Sequence, residues 1–168
     1  MKRWMGMLLL ACFAVVSASP VSAAEYVGTK KCKMCHMKQF KSWEQTKMAK
    51  AFEGLKPGMA VDAKTAAGLD PDKDYTTDAS CLGCHTINGK ADMPGVGCEA
   101  CHGPGADYIK VMMTNRDYTM DEITAKGLVV PGEDSCKKCH NDKSPFFKGF
   151  TFDKNKGPHE HFPLKKQH

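Results

Sequence analysis

Four times in this chain two cysteines stand three positions apart with a histidine directly after the second. The motifs are Cys32-Lys33-Met34-Cys35-His36, Cys81-Leu82-Gly83-Cys84-His85, Cys98-Glu99-Ala100-Cys101-His102 and Cys136-Lys137-Lys138-Cys139-His140. C-x-x-C-H is the attachment signature of a c-type haem: two thiols add to the vinyl groups, and the next residue offers its imidazole to the iron. The motifs use eight of the nine cysteines in 168 residues. The pattern therefore predicts four covalently bound haem c groups. Cys32, Cys35, Cys81, Cys84, Cys98, Cys101, Cys136 and Cys139 are the attachment residues, and His36, His85, His102 and His140 the proximal iron ligands. Cys81, Cys84, Cys98 and Cys101 come close to the spacing of a four-cysteine zinc ribbon. Zinc, however, gives no reason for a histidine after every second cysteine, and neither does a disulfide framework.

The ninth cysteine lies in a different kind of segment. Lys2 and Arg3 precede an apolar run from Met5 to Val16, and Val21-Ser22-Ala23-Ala24 supplies small residues for cleavage. Residues 1–24 read as a secretory signal, too short in its apolar part to span a bilayer. Cleavage near Ala24 removes Cys12 and delivers the chain to the periplasm. Leu9-Leu10-Ala11-Cys12 resembles a lipobox, but Phe13-Ala14-Val15-Val16 after it would leave a greasy mature terminus.

Residues 25–168 are expected to form one domain. They are polar and contain few apolar runs long enough to build an ordinary core. The expected fold is mainly α with extensive loops, compact, and built around the four haems. A chain of this length has a radius of gyration of roughly 14–15 Å, so four haems within it must be neighbours. The apolar spacing of Phe40, Trp43, Met48, Ala51 and Phe52 predicts a helix over 36–52, ended by Gly54, Pro57 and Gly58. A short helix over 121–126 closes at Gly127. Turns are expected at 69–72, at Pro94-Gly95 and at Gly103-Pro104-Gly105. No alternating strand pattern occurs, and the unequal spacers between motifs do not support a regular repeat array.

Six-coordinate irons would need four further ligands. Outside the motifs only His159, His161 and His168 remain. Three histidines cannot complete four haems, so either methionine serves or sites stay open. A thioether is a competent haem ligand. If 36–48 were one helix, Met48 would stand roughly 18 Å from His36 and would have to reach a haem other than the first. Removal of Lys2 and Arg3 leaves 22 basic side chains against 19 acidic ones, a formal +3. Lysines 30, 31, 33, 38, 41, 47 and 50 cluster around the first motif, a patch that could steer an acidic redox partner or simply face solvent.

Lys30-Lys31-Cys32 with its motif, Ser42-Trp43, Ala49-Lys50-Ala51 and Leu55-Lys56-Pro57 resemble the start of the cytochrome c-554 family. Leu69-Asp70-Pro71, Lys73-Asp74-Tyr75-Thr76, Gly95-Val96-Gly97-Cys98-Glu99, Cys101-His102-Gly103-Pro104-Gly105 and His159-Glu160-His161 continue the likeness over most of 28–162. The chain is shorter than that family between the second and third haems and after the fourth. The resemblance implies a tetrahaem electron carrier. It aligns Met48 with a histidine that caps the third haem and Met112 with one that caps the first, with Met113 a competing neighbour. It assigns His159 to the fourth haem, with His161 close by, and leaves the second haem open. The expected function is one-electron transfer between donor and acceptor redox proteins, with transient association with a membrane surface compatible and nucleic acid excluded as a partner. Alternatives are a haem enzyme acting on nitric oxide, a nitrogen oxyanion or peroxide at the open haem, and a subunit of an extracellular haem filament.

Overall fold

A cysteine, a second cysteine three positions on and a histidine four positions on share one face of a helical turn. Every motif adopts such a turn. In the computed structural model, which describes residues 24–153, the second motif ends α4 (Ala79–His85) and the third forms α5 (Cys98–His102). The first and fourth close the same way just beyond α1 (Thr29–Cys32) and α8 (Glu133–Lys137), His36 N–H donating to the Cys32 carbonyl and His140 N–H to that of Cys136, each at 2.9 Å. The remaining helices are α2 (Met37–Glu44), α3 (Val61–Ala66), α6 (Ala106–Thr114) and α7 (Met120–Thr124), with a 3-10 helix over Ala51–Leu55. Among the described residues there is no strand, only an isolated bridge between Thr86 and Pro94. None of the described helices is long and apolar enough to cross a membrane.

The expected helix over 36–52 is interrupted. α2 stops at Glu44, and a run of turns leads into the 3-10 helix. Thr46 is the reason: its hydroxyl donates to the Trp43 carbonyl at 2.7 Å and accepts from Ala49 N–H at 3.2 Å. A side chain that satisfies local backbone groups competes with the helical ladder. The distance estimate from His36 to Met48 along one helix therefore falls. The short helix near 121–126 is present as α7, held by a reciprocal capping box between Thr119 and Glu122 and followed by Gly127 at φ 96°. α6 has no counterpart in the sequence reading.

Conventional core is scarce. Leu55, Tyr75 and Leu82 form the one cluster of buried apolar residues described, with Phe52, Leu69 and Cys81 against it. Phe40, Ile87, Tyr108 and Ile123 are buried elsewhere. Lys64, on α3, is buried beside the cluster at 3% exposure. Its ammonium donates to the Lys56 carbonyl at 2.7 Å and the Pro71 carbonyl at 3.4 Å, and lies 5.2 Å from the centre of the Tyr75 ring. The lysine thus ties α3 to both ends of the loop that leads to the second motif.

Both carbonyls held by Lys64 also receive a backbone N–H, from Met59 and Gly58 respectively. Removing the ammonium alone therefore leaves neither orphaned. Lys64→Ala is expected to cost about 2–3 kcal/mol through the cavity it opens, whereas Lys64→Met, which refills the space, should cost less than about 1 kcal/mol. Denaturant midpoints of the two variants check this. Equal losses would show that the ammonium's bonds, rather than its packing, hold the loop.

Candidate haem-attachment sites

An imidazole that ligates a metal normally donates its other ring N–H to a carbonyl or carboxylate, which sets the tautomer and the ring's direction. Two of the motif histidines are held in this way. His85 Nδ1 lies 2.6 Å from the Ala51 carbonyl, and His102 Nδ1 lies 3.1 Å from the Val129 carbonyl. A carbonyl can only accept, so Nδ1 carries the proton and Nε2 keeps the lone pair an iron requires. Val129 N–H also donates to the His102 carbonyl at 2.9 Å, a second tie between the same residues. The His140 ring stacks on Phe150, with centroids 4.8 Å apart at 23°. His36 begins α2, and its carbonyl accepts from Phe40 N–H at 2.9 Å.

Sulfurs from different motifs approach one another. A thiol hydrogen bond between Cys32 and Cys98, and then burial, pushes the Cys32 thiol far up, while the same bond pulls the Cys98 thiol down against its own burial. Burial, then a hydrogen bond with Cys84, pushes Cys139 up to about 12. Burial raises Cys101 as well, with the neighbouring Cys136 next in effect. These acidities belong to the chain before haem arrives, since attachment converts each thiol into a thioether. Their value lies in the neighbours they reveal: motif one beside motif three, motif two beside motif four, and motif three beside motif four. Among the described residues no group of three or more cysteine, histidine or acidic side chains could hold a metal ion. The zinc-ribbon grouping of the second and third motifs does not form.

The segment after α2 serves two motifs together. Trp43 donates its indole N–H to the Val96 carbonyl at 2.8 Å, and Val96 N–H donates to the Met48 carbonyl at 2.9 Å. Both polar groups of Val96, two residues ahead of Cys98, are thus held by the segment that carries Met48. Three residues beyond Met48, Ala51 supplies the carbonyl that orients His85. The loop between motifs two and three closes tightly, Gly95 N–H donating to the His85 carbonyl at 3.0 Å. Met48 itself is half-buried, as is Met112 in α6. Tyr108, one turn before Met112, has its phenol pushed up by burial and then by its neighbours Cys32, Glu99 and Cys98. Residues four apart share a helix face, so Met112 stands on the face of α6 that Tyr108 turns toward the first and third motifs. Ile109 and Met113, by the same spacing, line an outer groove of about 330 Å³ together with Val27, Lys31, Met34 and Lys110. His159 and His161 lie outside the described residues.

One residue went unremarked in the sequence. Glu99, between the cysteines of motif three, is 1% exposed. Its Oε1 accepts from Val27 N–H at 2.9 Å and Gly105 N–H at 2.7 Å, and its Oε2 from Gly28 N–H at 2.7 Å. The carboxylate fastens the approach to motif one and the start of α6 onto motif three. The signal available was an acid inside an attachment motif flanked by glycines, which composition alone does not distinguish from a surface charge.

Four one-turn C-x-x-C-H segments with oriented imidazoles, set in a helical, loop-rich chain, define a multihaem c-type cytochrome, and haem c is its cofactor. The family described as cytochrome c554 and c-prime matches residues 31–103, and that described as cytochrome c7 and related cytochrome c matches residues 86–160. Cytochrome c-554 of Nitrosomonas europaea is 38% identical over an alignment of 155 residues, which takes in 80% of this chain and 66% of that protein. The solved reduced state of cytochrome c554 from the same organism superposes with a TM-score of 0.61 at 34% identity, over 86% of this chain and 76% of that one. The chain belongs to the cytochrome c-554 family.

Gly95, in the loop between motifs two and three, packs against the Met48 segment. It has φ 84°, and a Cβ there would stand 2.6 Å from the Ala49 carbonyl oxygen. Gly89 has a similar φ of 70° but open space around it. Left-handed backbone costs an alanine about 1–2 kcal/mol, so Gly89→Ala should lose about that much. Gly95→Ala should lose roughly twice as much, from the added clash. Thermal unfolding of both holoproteins checks the difference, and equal losses would show that the segment yields freely at Gly95.

Proposed function

We propose that the chain is an exported carrier of single electrons between redox proteins, holding four covalent haems and performing no bond-making chemistry on a substrate. One-electron exchange at iron is the chemistry the haems supply; the chain sets their order, their ligands and their electrostatic surroundings. The observation that carries this reading is the approach of sulfurs from different motifs, Cys32 to Cys98, Cys101 to Cys136 and Cys84 to Cys139. Neighbouring attachment points in the order one, three, four, two support a continuous conducting path with the first and second motifs at its ends. The lysines at 30, 31, 33, 38, 41, 47 and 50, all exposed, make an acidic protein the fitting partner at the first end. Intact-mass measurement of the purified protein is expected to give the mature chain plus four haems. Any smaller number would overturn the tetrahaem reading.

The distal ligands are proposed from family likeness, and the geometry supports two of them. Met48 is assigned to the third haem, because its carbonyl and the Trp43 indole hold Val96 beside Cys98. Met112 is assigned to the first, because it follows Tyr108 on the face of α6 turned to Cys32. His159 is assigned to the fourth by family likeness, and the haem on His85 is left five-coordinate. A methionine ligand favours ferrous iron and raises the haem potential relative to a second histidine. The ferric spectrum is expected to show methionine-to-iron charge transfer together with a high-spin fraction from the haem on His85. Met48→His should remove part of the methionine signature and lower one potential. A wholly low-spin spectrum would close the second haem, and a Met48→His protein unchanged in both properties would make Met48 a packing residue.

A further inference from the structure

A buried carboxylate held only by backbone N–H groups lies between two haem-attachment motifs. Glu99 receives three such donors, from Val27, Gly28 and Gly105, and no lysine, arginine or histidine pairs with it in the described ion pairs. Three donors and no acceptor match the ionised form, which only accepts. Peptide N–H groups carry partial charges, so they stabilise the anion without cancelling its unit charge. Glu99 adjoins Cys98 in sequence, and Cys98 shares its thiol hydrogen bond with Cys32. The charge of Glu99 also reaches Cys32, Cys98 and Tyr108, raising all three against their own ionisation. The first two are the atoms through which the first and third motifs would grip their haems. The three donors come from the approach to motif one and from the segment just after motif three; motifs two and four supply none of them.

We infer that the Glu99 carboxylate is a shared electrostatic setting for the haems of motifs one and three, holding both of their potentials down more strongly than those of motifs two and four. Ferric haem carries one more positive charge than ferrous haem. A fixed negative charge in a poorly solvated site therefore stabilises the oxidised state, and it acts more strongly there than it would in water. Glu99 is a positioning residue in structural terms, since its three bonds fasten the first motif to the third. The inference adds an electronic consequence that a purely structural clamp would not have. It rests on the tetrahaem reading.

The test is a spectroelectrochemical titration of the four-haem protein and its variants, with haem number checked by mass in each. Glu99→Gln keeps the shape and removes the charge, and should move two of the four potentials upward more than the other two. Glu99→Asp keeps the charge on a shorter arm that cannot reach all three donors. It should lower the unfolding midpoint while leaving the potentials close to those of the parent. Val27→Lys covers the case in which Glu99→Gln does not fold: the Val27 N–H still donates, and the new ammonium beside the carboxylate should raise the same pair. Four unmoved potentials in Glu99→Gln, or in Val27→Lys where only that variant folds, would overturn the inference. So would a uniform shift of all four, which reports a general change in the fold. A parent protein with fewer than four haems would instead overturn the tetrahaem reading, so the two failures are distinguishable.

Discussion

Each haem demands two sulfurs and one imidazole on the same side of a single helical turn, and the chain must meet that demand four times between Cys32 and His140. Little length is left for anything else. The helices are short because most are attachment turns or the brackets that orient them, and the described apolar core is the Leu55, Tyr75 and Leu82 cluster with a few buried residues apart from it. In such a chain backbone polar groups take over part of the work that packing does elsewhere. The Ala51 and Val129 carbonyls aim two imidazoles, and the two polar groups of Val96 are clasped from one segment. A backbone acceptor cannot be lost by side-chain substitution, which suits it to directions that must hold to within a hydrogen bond.

The parts of this arrangement legible in the sequence were those with covalent or periodic logic. The four motifs announced themselves, and α7 showed through its Asp121–Lys126 segment and closing glycine. The helix over 36–52 failed because periodicity counted Phe40, Trp43 and Met48 but ignored Thr46, whose hydroxyl ends the ladder. α6 was missed although Tyr108 and Met112, and Ile109 and Met113, stand at helical spacing. Its apolar residues occur as adjacent pairs rather than a clean stripe. Lys64 and Glu99 were the deeper omissions. Charged residues are ordinarily exposed, and only the folded chain brings to them the carbonyls of Lys56 and Pro71 or the amides of Val27, Gly28 and Gly105.

The two buried charges also differ in kind. Lys64 shares its ammonium among carbonyls that already have N–H partners, so it adds grip to a loop that is otherwise satisfied. Glu99 is the acceptor for backbone donors at the entrance to α1 and to α6. Leaving a buried donor without a partner costs about 1–3 kcal/mol each, so Glu99 carries structural weight that Lys64 does not.

On the proposed ligand assignment, Met48 and Met112 fall on the third and first haems, the same pair that shares Glu99. The two influences then oppose each other. A thioether favours ferrous iron and pushes a potential up, whereas a buried anion favours ferric iron and pulls it down. Replacing histidine by methionine at both positions would, acting alone, separate this pair from the haems of motifs two and four and create a step for electrons passing along the path. A carboxylate common to both members lowers them together and so reduces the step without disturbing their level relative to each other. Ligand chemistry thus tunes each haem singly, and one residue inside the third attachment motif tunes the pair.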